Sequence, residues 1–217
     1  MFEKLFDLWH REDLLQQALK DALEMMKLAK TIFEKSVEAF LYDKSSDPQE
    51  IYDMDKHINH YEIKIRRKIL EHLTISPEQD ITAALVLSTI TVDIERLGDF
   101  SKNFYELSEF YSGSISENGA IEQLYVNTNE MFDKTTHAFA DADSVLALDV
   151  MEMHTKNAAD AENIIHELLQ NHKGLSSSQA VAEVLSARYF KRISAHLKNI
   201  ASSVVNPFDR IGYKPTE

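Results

Sequence analysis

Residues 93–103 read DIERLGDFSKN. On a helix Glu95, Asp99 and Asn103 stand four apart and share one stripe, where like charges cost a few tenths of a kcal/mol. Gly98 lies among them, and a glycine inside a helix costs about 1 kcal/mol relative to alanine. In so acidic a chain an isolated Glu-x-x-x-Asp is most often a solvated face. Two local inconsistencies at one place nevertheless mark a candidate functional site.

The same stretch exposes a duplication. ERLGDFSKN at 95–103 aligns with KRISAHLKN at 191–199, keeping arginine, a branched aliphatic, lysine and asparagine in register. Upstream, Asp55 and Glu62 lie seven apart, and so do Asp160 and Glu167. The chain therefore reads as two three-helix units, 1–113 and 114–217, each with an acidic pair on its second helix and the probe motif on its third.

Helix signals fill in the rest. There are five glycines and four prolines, and nearly all fall where a helix should begin or end, the pattern of an all-α protein. Asp47-Pro48-Gln49-Glu50 supplies an N-cap, proline at the first helical position and glutamate three residues after the cap. Ser76-Pro77-Glu78-Gln79 repeats the device, Ser114 with Glu117 offers a third, and Gly174 followed by Ser176 to Ser178 marks a stop and a restart. Helices are expected at 12–43, 48–73, 77–111, 115–149, 150–172 and 177–205. Leu87, Ile90, Ile94, Leu97, Ser101 and Phe104 form a bundle seam on the third, with Glu95, Asp99 and Asn103 off it.

Composition narrows the function. With 36 acidic against 23 basic side chains the net charge is −13, so binding nucleic acid through its phosphates is not expected. No cysteine is present, which removes disulfides, thiolate metal sites and cysteine nucleophiles and leaves oxygen or imidazole to hold any metal. MFEKLFDLWHRED at the start lacks the apolar run of a signal peptide, and its Phe2, Leu5, Phe6 and Trp9 read as a packed first turn rather than a membrane anchor. ITAALVLSTITV at 81–92 is too short to span a bilayer, so a cytoplasmic protein is expected. His57 and His60 have no HExxH around them and read as exposed, and no glutamate has the histidine three residues later that a ferritin-like di-iron site requires. Nucleophile elbow, P-loop and dinucleotide fingerprint are absent, and no enzyme is expected.

Consecutive helices joined by short loops run antiparallel. Asp55, Asn59 and Glu62 share a sector of the second helix beside its Ile51, Ile58, Ile65 seam. If that sector meets the Glu95, Asp99, Asn103 stripe, carboxylates converge and call for a cation between them. Oxygen donors suit magnesium, calcium or manganese as well as iron.

An aspartate on the second helix, Pro-x-x-Asp at Pro77 to Asp80, Glu-Arg-Leu-Gly-Asp at 95–99, a later asparagine, the duplicated unit and the closing NPFDRIGY at 206–213 together resemble the PhoU family of phosphate-uptake regulators. The resemblance implies a dimerising helical protein that binds metal ions, iron, zinc, manganese or magnesium, through surface Glu-x-x-x-Asp motifs. It implies an accessory to a phosphate transporter and its sensor histidine kinase, reaching the membrane only through a partner and damping the phosphate-starvation response. Carried over, the ligands are Glu95 and Asp99 with Asp55 and Glu62, and Asn103 completes the shell. A metal-dependent hydrolase or metal store using the same carboxylates, and a metal-free helical adaptor, are the alternatives. In the second unit Lys191 and Ala195 replace the glutamate and aspartate. Metal is therefore expected on the first unit only, with Lys191 entering the space beside Asp160 and Glu167 and His196 on the surface.

Overall fold

The computed structural model describes residues 13–42, 47–75, 80–111, 113, 115, 119–171 and 174–214. Six long helices make up the fold: α1 (Leu14–Tyr42), α2 (Pro48–Ile75), α3 (Ile81–Phe110), α4 (Ala120–Asp141), α5 (Ser144–Gln170) and α6 (Ser177–Val205). A 3-10 turn at Phe208–Arg210 follows, and no strand occurs among the described residues. The chain is all-α, as expected. Helices α1, α2 and α3 pack on one another as one three-helix repeat and α4, α5 and α6 as the other, while α3 against α6 and α1 against α4 join the two.

The expected caps are partly in place. Asp47 accepts a bond from the Gln49 amide at 3.0 Å, but Glu50 pairs with Lys35 of α1 instead of reaching back to the cap. Ser176 caps α6 by accepting from the Gln179 amide at 3.1 Å, after Gly174 at φ 93°. The helix expected from 77 begins at Ile81. The Ser76–Gln79 and Ser114–Glu117 signals and the amphipathic start at Phe2, Leu5, Phe6 and Trp9 lie outside the described residues.

The expected break at 150 is wrong. The chain turns at Ala142 and Asp143. Ala142 takes a left-handed conformation, φ 57°, and the Asp143 amide reaches back to the Ala138 carbonyl at 3.0 Å, closing α4. Asp143 then caps α5, its carboxylate accepting from Val145 and Leu146. With neither glycine nor proline the turn carries no punctuation that a sequence reading would catch.

One continuous hydrophobic core runs through both repeats. Phe33 of α1 sits at its centre, with ring centroids 6.4 Å from Phe104 of α3, 5.0 Å from Phe132 of α4 and 6.1 Å from Phe190 of α6. The expected seams face inward: Leu87, Ile90, Ile94, Leu97, Ser101 and Phe104 on α3, and Ile51, Ile58 and Ile65 on α2, are all buried. No described helix is long and apolar enough to cross a membrane.

Candidate metal centre

Gly98 is explained by packing. A Cβ built on it would stand 2.7 Å from Ile58 Cδ1, so the glycine lets α3 close on α2 over a buried isoleucine. That approach brings the polar flanks of the two seams together. Asp55 is buried and accepts from Lys102 Nζ at 2.9 Å; the same ammonium lies 3.8 Å from Asp99 Oδ1. Arg96 bonds Asp99 at 3.0 Å and reaches Glu95 at 3.4 Å, and Glu62 pairs with Arg66 one turn on at 2.7 Å. Asn103 is half-buried at the end of the stripe, and Asn59 is exposed.

The carboxylates feel one another. Burial, reinforced by the charges of Asp99, Glu62 and Asp55 and opposed by Arg96, pushes the Glu95 carboxyl above the ordinary glutamate range. Burial works against the Lys102 charge as well. Its bond to Asp55, with Asp99 and Glu106 nearby, more than offsets that and holds the ammonium above its ordinary range. Between α2 and α3 the charges of Asp55, Glu62 and Asp99 thus bear on Glu95, and a cation, that of Lys102, already sits between Asp55 and Asp99, but no three of these carboxylates bring their oxygens within 4.8 Å of one another. Their donor type, all oxygen, suits a hard divalent ion, which would have to draw the carboxylates closer together.

The second repeat keeps the helix pairing but not this chemistry. Gly98 aligns with Ser194, and where Gly98 meets Ile58, Ser194 Oγ meets His154 Nδ1 at 3.0 Å. The contacts therefore relate the repeats by 96 residues, whereas matching Asp55 to Asp160 needs a step of 105. The difference of nine residues is two and a half helical turns, which puts Asp160 and Glu167 on the opposite face of α5. There they line a depression against Gln123 and Leu124 of α4. They do not face Lys191, which pairs with Glu162. In the contact register Met151, Ala158, Lys191 and Ala195 replace Asp55, Glu62, Glu95 and Asp99.

His196 is not a surface side chain. It stacks on Phe100 of α3 with centroids 5.7 Å apart, and its Nδ1 lies 2.7 Å from Asp93 Oδ1, which Asn199 also reaches at 3.0 Å. Asp93 thereby ties the motif of α6 to α3. His57 and His60 are exposed, as expected. A second cluster escaped the sequence reading: Asp13, His72 and Asp80 bring one ligand atom each within 4.8 Å of the others, the one such group among the described residues. Its residues come from three segments, and only the burial of His72 beside Asp80 unites them, which no spacing reveals.

Two three-helix repeats on one core, with carboxylates gathered between the second and third helices of the first, define a class of duplicated acidic helical bundles. The PhoU domain model matches residues 22–108 and again 121–204, most of the chain, and the chain belongs to the PhoU family. Among solved structures it is similar to PhoU from Pseudomonas aeruginosa, with 22% identity, 88% of this chain and 95% of that one covered, and a TM-score of 0.76. The phosphate transport system regulatory protein PhoU from Streptococcus pneumoniae superposes with a TM-score of 0.79 at 14% identity, over 88% of this chain and 93% of that one. No curated protein sequence matches significantly.

Proposed function

We propose that this chain regulates phosphate transport by binding rather than by turnover, as a cytoplasmic homodimer that contacts a phosphate transporter and its sensor kinase. Family membership across both repeats supports the reading, as does the likeness to the phosphate transport system regulatory protein of Streptococcus pneumoniae. The boundary between the repeats is placed at 113/114.

The first repeat would hold a divalent or iron-type ion through Asp55, Glu62, Glu95 and Asp99, with Asn103 beside them. The ion would supply positive charge among four neighbouring carboxylates and draw their oxygens together. What supports this is the placement of Asp55 and Glu62 on α2 beside Glu95 and Asp99 on α3, close enough for their charges to act on the half-buried Glu95. Oxygen ligands alone suit magnesium, manganese or iron better than zinc, which favours nitrogen and sulfur. The competing reading, a metal-free adaptor, has one observation in its favour: the Lys102 ammonium between Asp55 and Asp99.

Elemental analysis of purified protein separates the two. Metal in wild-type protein, lost in Glu95→Ala with Asp99→Ala, supports the centre, and metal-free wild-type protein after loading and desalting assigns the cluster to Lys102. Deleting the gene should raise phosphate-responsive transcription in high phosphate; unchanged repression would count against the regulatory role.

A further inference from the structure

The place in the second repeat that corresponds to the carboxylate cluster is a cavity of about 340 Å³, at the small end of the roughly 300–1,000 Å³ typical of ligand sites. Lys191, Lys198 and Lys214 line it, with His154, Glu162 and the Gly212 backbone. Three lysines around one opening stand out in a chain of net charge −13. Its register partner in the first repeat carries four carboxylates, so the local charge has been inverted on the same scaffold.

Lys198 carries the argument. It aligns with Lys102, which bonds a carboxylate, but the counterpart of Asp55 is Met151. Lys198 instead donates to the Gly212 carbonyl at 2.6 Å, and among the described residues it forms no ion pair. An ammonium has three donors, so two remain for a ligand. Lys214 likewise forms no ion pair among the described residues. Lys191 is held by Glu162, whose side chain is 57% exposed and can swing outward. The segment beyond α6 is built to stay in place. Gly212 donates its amide to Ser202 Oγ at 2.7 Å, and Asn206 Nδ2 donates to the carbonyls of Arg210 and Tyr213.

We propose that the second repeat binds a tetrahedral oxyanion, inorganic phosphate or the phosphoryl group of a monoester, between Lys191, Lys198 and Lys214. Burial acts on the titrating groups here, and the lysines add to it only at His154. Burial holds the Lys198 ammonium below the ordinary lysine range, opposed by Asp93. Burial, with Lys198 and Lys191 close by, holds His154 down at about 4. Ser194 Oγ donates to the Lys191 carbonyl, so it accepts from His154 Nδ1–H, and the neutral ring carries its proton on Nδ1. A bound dianion would offset the lysine charges and raise the His154 titration.

The test is calorimetric titration of the full chain at neutral pH and fixed ionic strength, set with chloride, using inorganic phosphate in one arm and methyl phosphate in the other. Saturable binding is expected in at least one arm, weakened tenfold or more by Lys198→Met and unchanged by Lys27→Gln, an exposed lysine of α1 outside the cavity. The tighter arm identifies the source, free anion or ester. NMR of His154 should show its pKa rising when the anion is added. Should Lys198→Met fail to fold, Lys191→Gln with Lys214→Gln, both nearer the surface, replaces it. No saturable heat in either arm, or equal affinity in the lysine variants, overturns the proposal. Its failure leaves the metal centre of the first repeat untouched.

Discussion

Gly98 and Glu95 are the residues at which the opening stretch departs from ordinary helix chemistry, and the structure assigns them different causes. The glycine serves contact with Ile58; the carboxylate is half-buried beside Asp99, Glu62 and Asp55, whose charges act on it. Gly98→Ala gains up to about 1 kcal/mol of helix propensity but drives a methyl to 2.7 Å from Ile58 Cδ1 in a buried seam, where overpacking costs about 1–3 kcal/mol. Net destabilisation is expected, and Ile58→Val, which removes the offending methyl, should recover it in a double-mutant cycle measured by urea unfolding. Strictly additive effects would refute the packing account. For Glu95 the folded protein holds the proton more tightly than the unfolded chain, because its carboxyl is raised. Its contribution to stability is full below the ordinary glutamate range and is lost as pH rises through the raised value. Metal-free Glu95→Gln should therefore be more stable at neutral pH by a few tenths of a kcal/mol, with no gain in acid. A gain that persists below that range would point to packing instead of charge. That Asp55 and Glu62 lie on the flank of α2 that faces the Glu95 and Asp99 stripe was legible from spacing, since helical periodicity fixes a face. Lys102 between them was not, because a long flexible side chain chooses its partner in three dimensions.

Elements were legible at the Asp47-Pro48 start and at the Gly174 to Ser176 restart, and the seams of α2 and α3 followed from periodicity alone. The α4–α5 turn was missed for want of such a mark, and the error has a measurable counterpart. Ala142 occupies the left-handed region, which costs an L-residue about 1–2 kcal/mol, whereas glycine bears no such strain but loses more entropy on folding. Ala142→Gly should thus raise the stability by about 0.5 kcal/mol, read from the shift in urea midpoint at constant m-value. A fall would mean that the alanine methyl packs usefully. The register of α5 failed for a different reason. Acidic residues seven apart recur on any helix of so acidic a chain, and two such pairs can match in sequence while facing opposite sides. Contacts at Ser194 and His154 resolve it, and they convert an expected lysine-blocked metal site into a basic cavity.

At the scale of the whole molecule, two repeats with opposite local charge share one core. Phe33, Phe104, Phe132 and Phe190 bring one ring from each of α1, α3, α4 and α6 to a single point, and Asp93 bridges α3 to His196 and Asn199 of α6. Neither repeat can bury its aromatic face without the other. The duplication was readable in the sequence, but the sharing was not, since a buried phenylalanine looks the same whichever repeat it packs against. Unfolding is accordingly expected as one cooperative transition despite the tandem architecture. Phe33→Leu should lower the stability of both repeats together by about 1–3 kcal/mol. Hydrogen exchange can check this by comparing protection on α2, remote from the second repeat, with protection on α5, remote from the first. Equal losses on both helices are the expected result. Loosening of α2 with α5 unchanged, or two separate urea transitions, would show that each repeat holds its own fold and that the aromatic cluster merely lies between them.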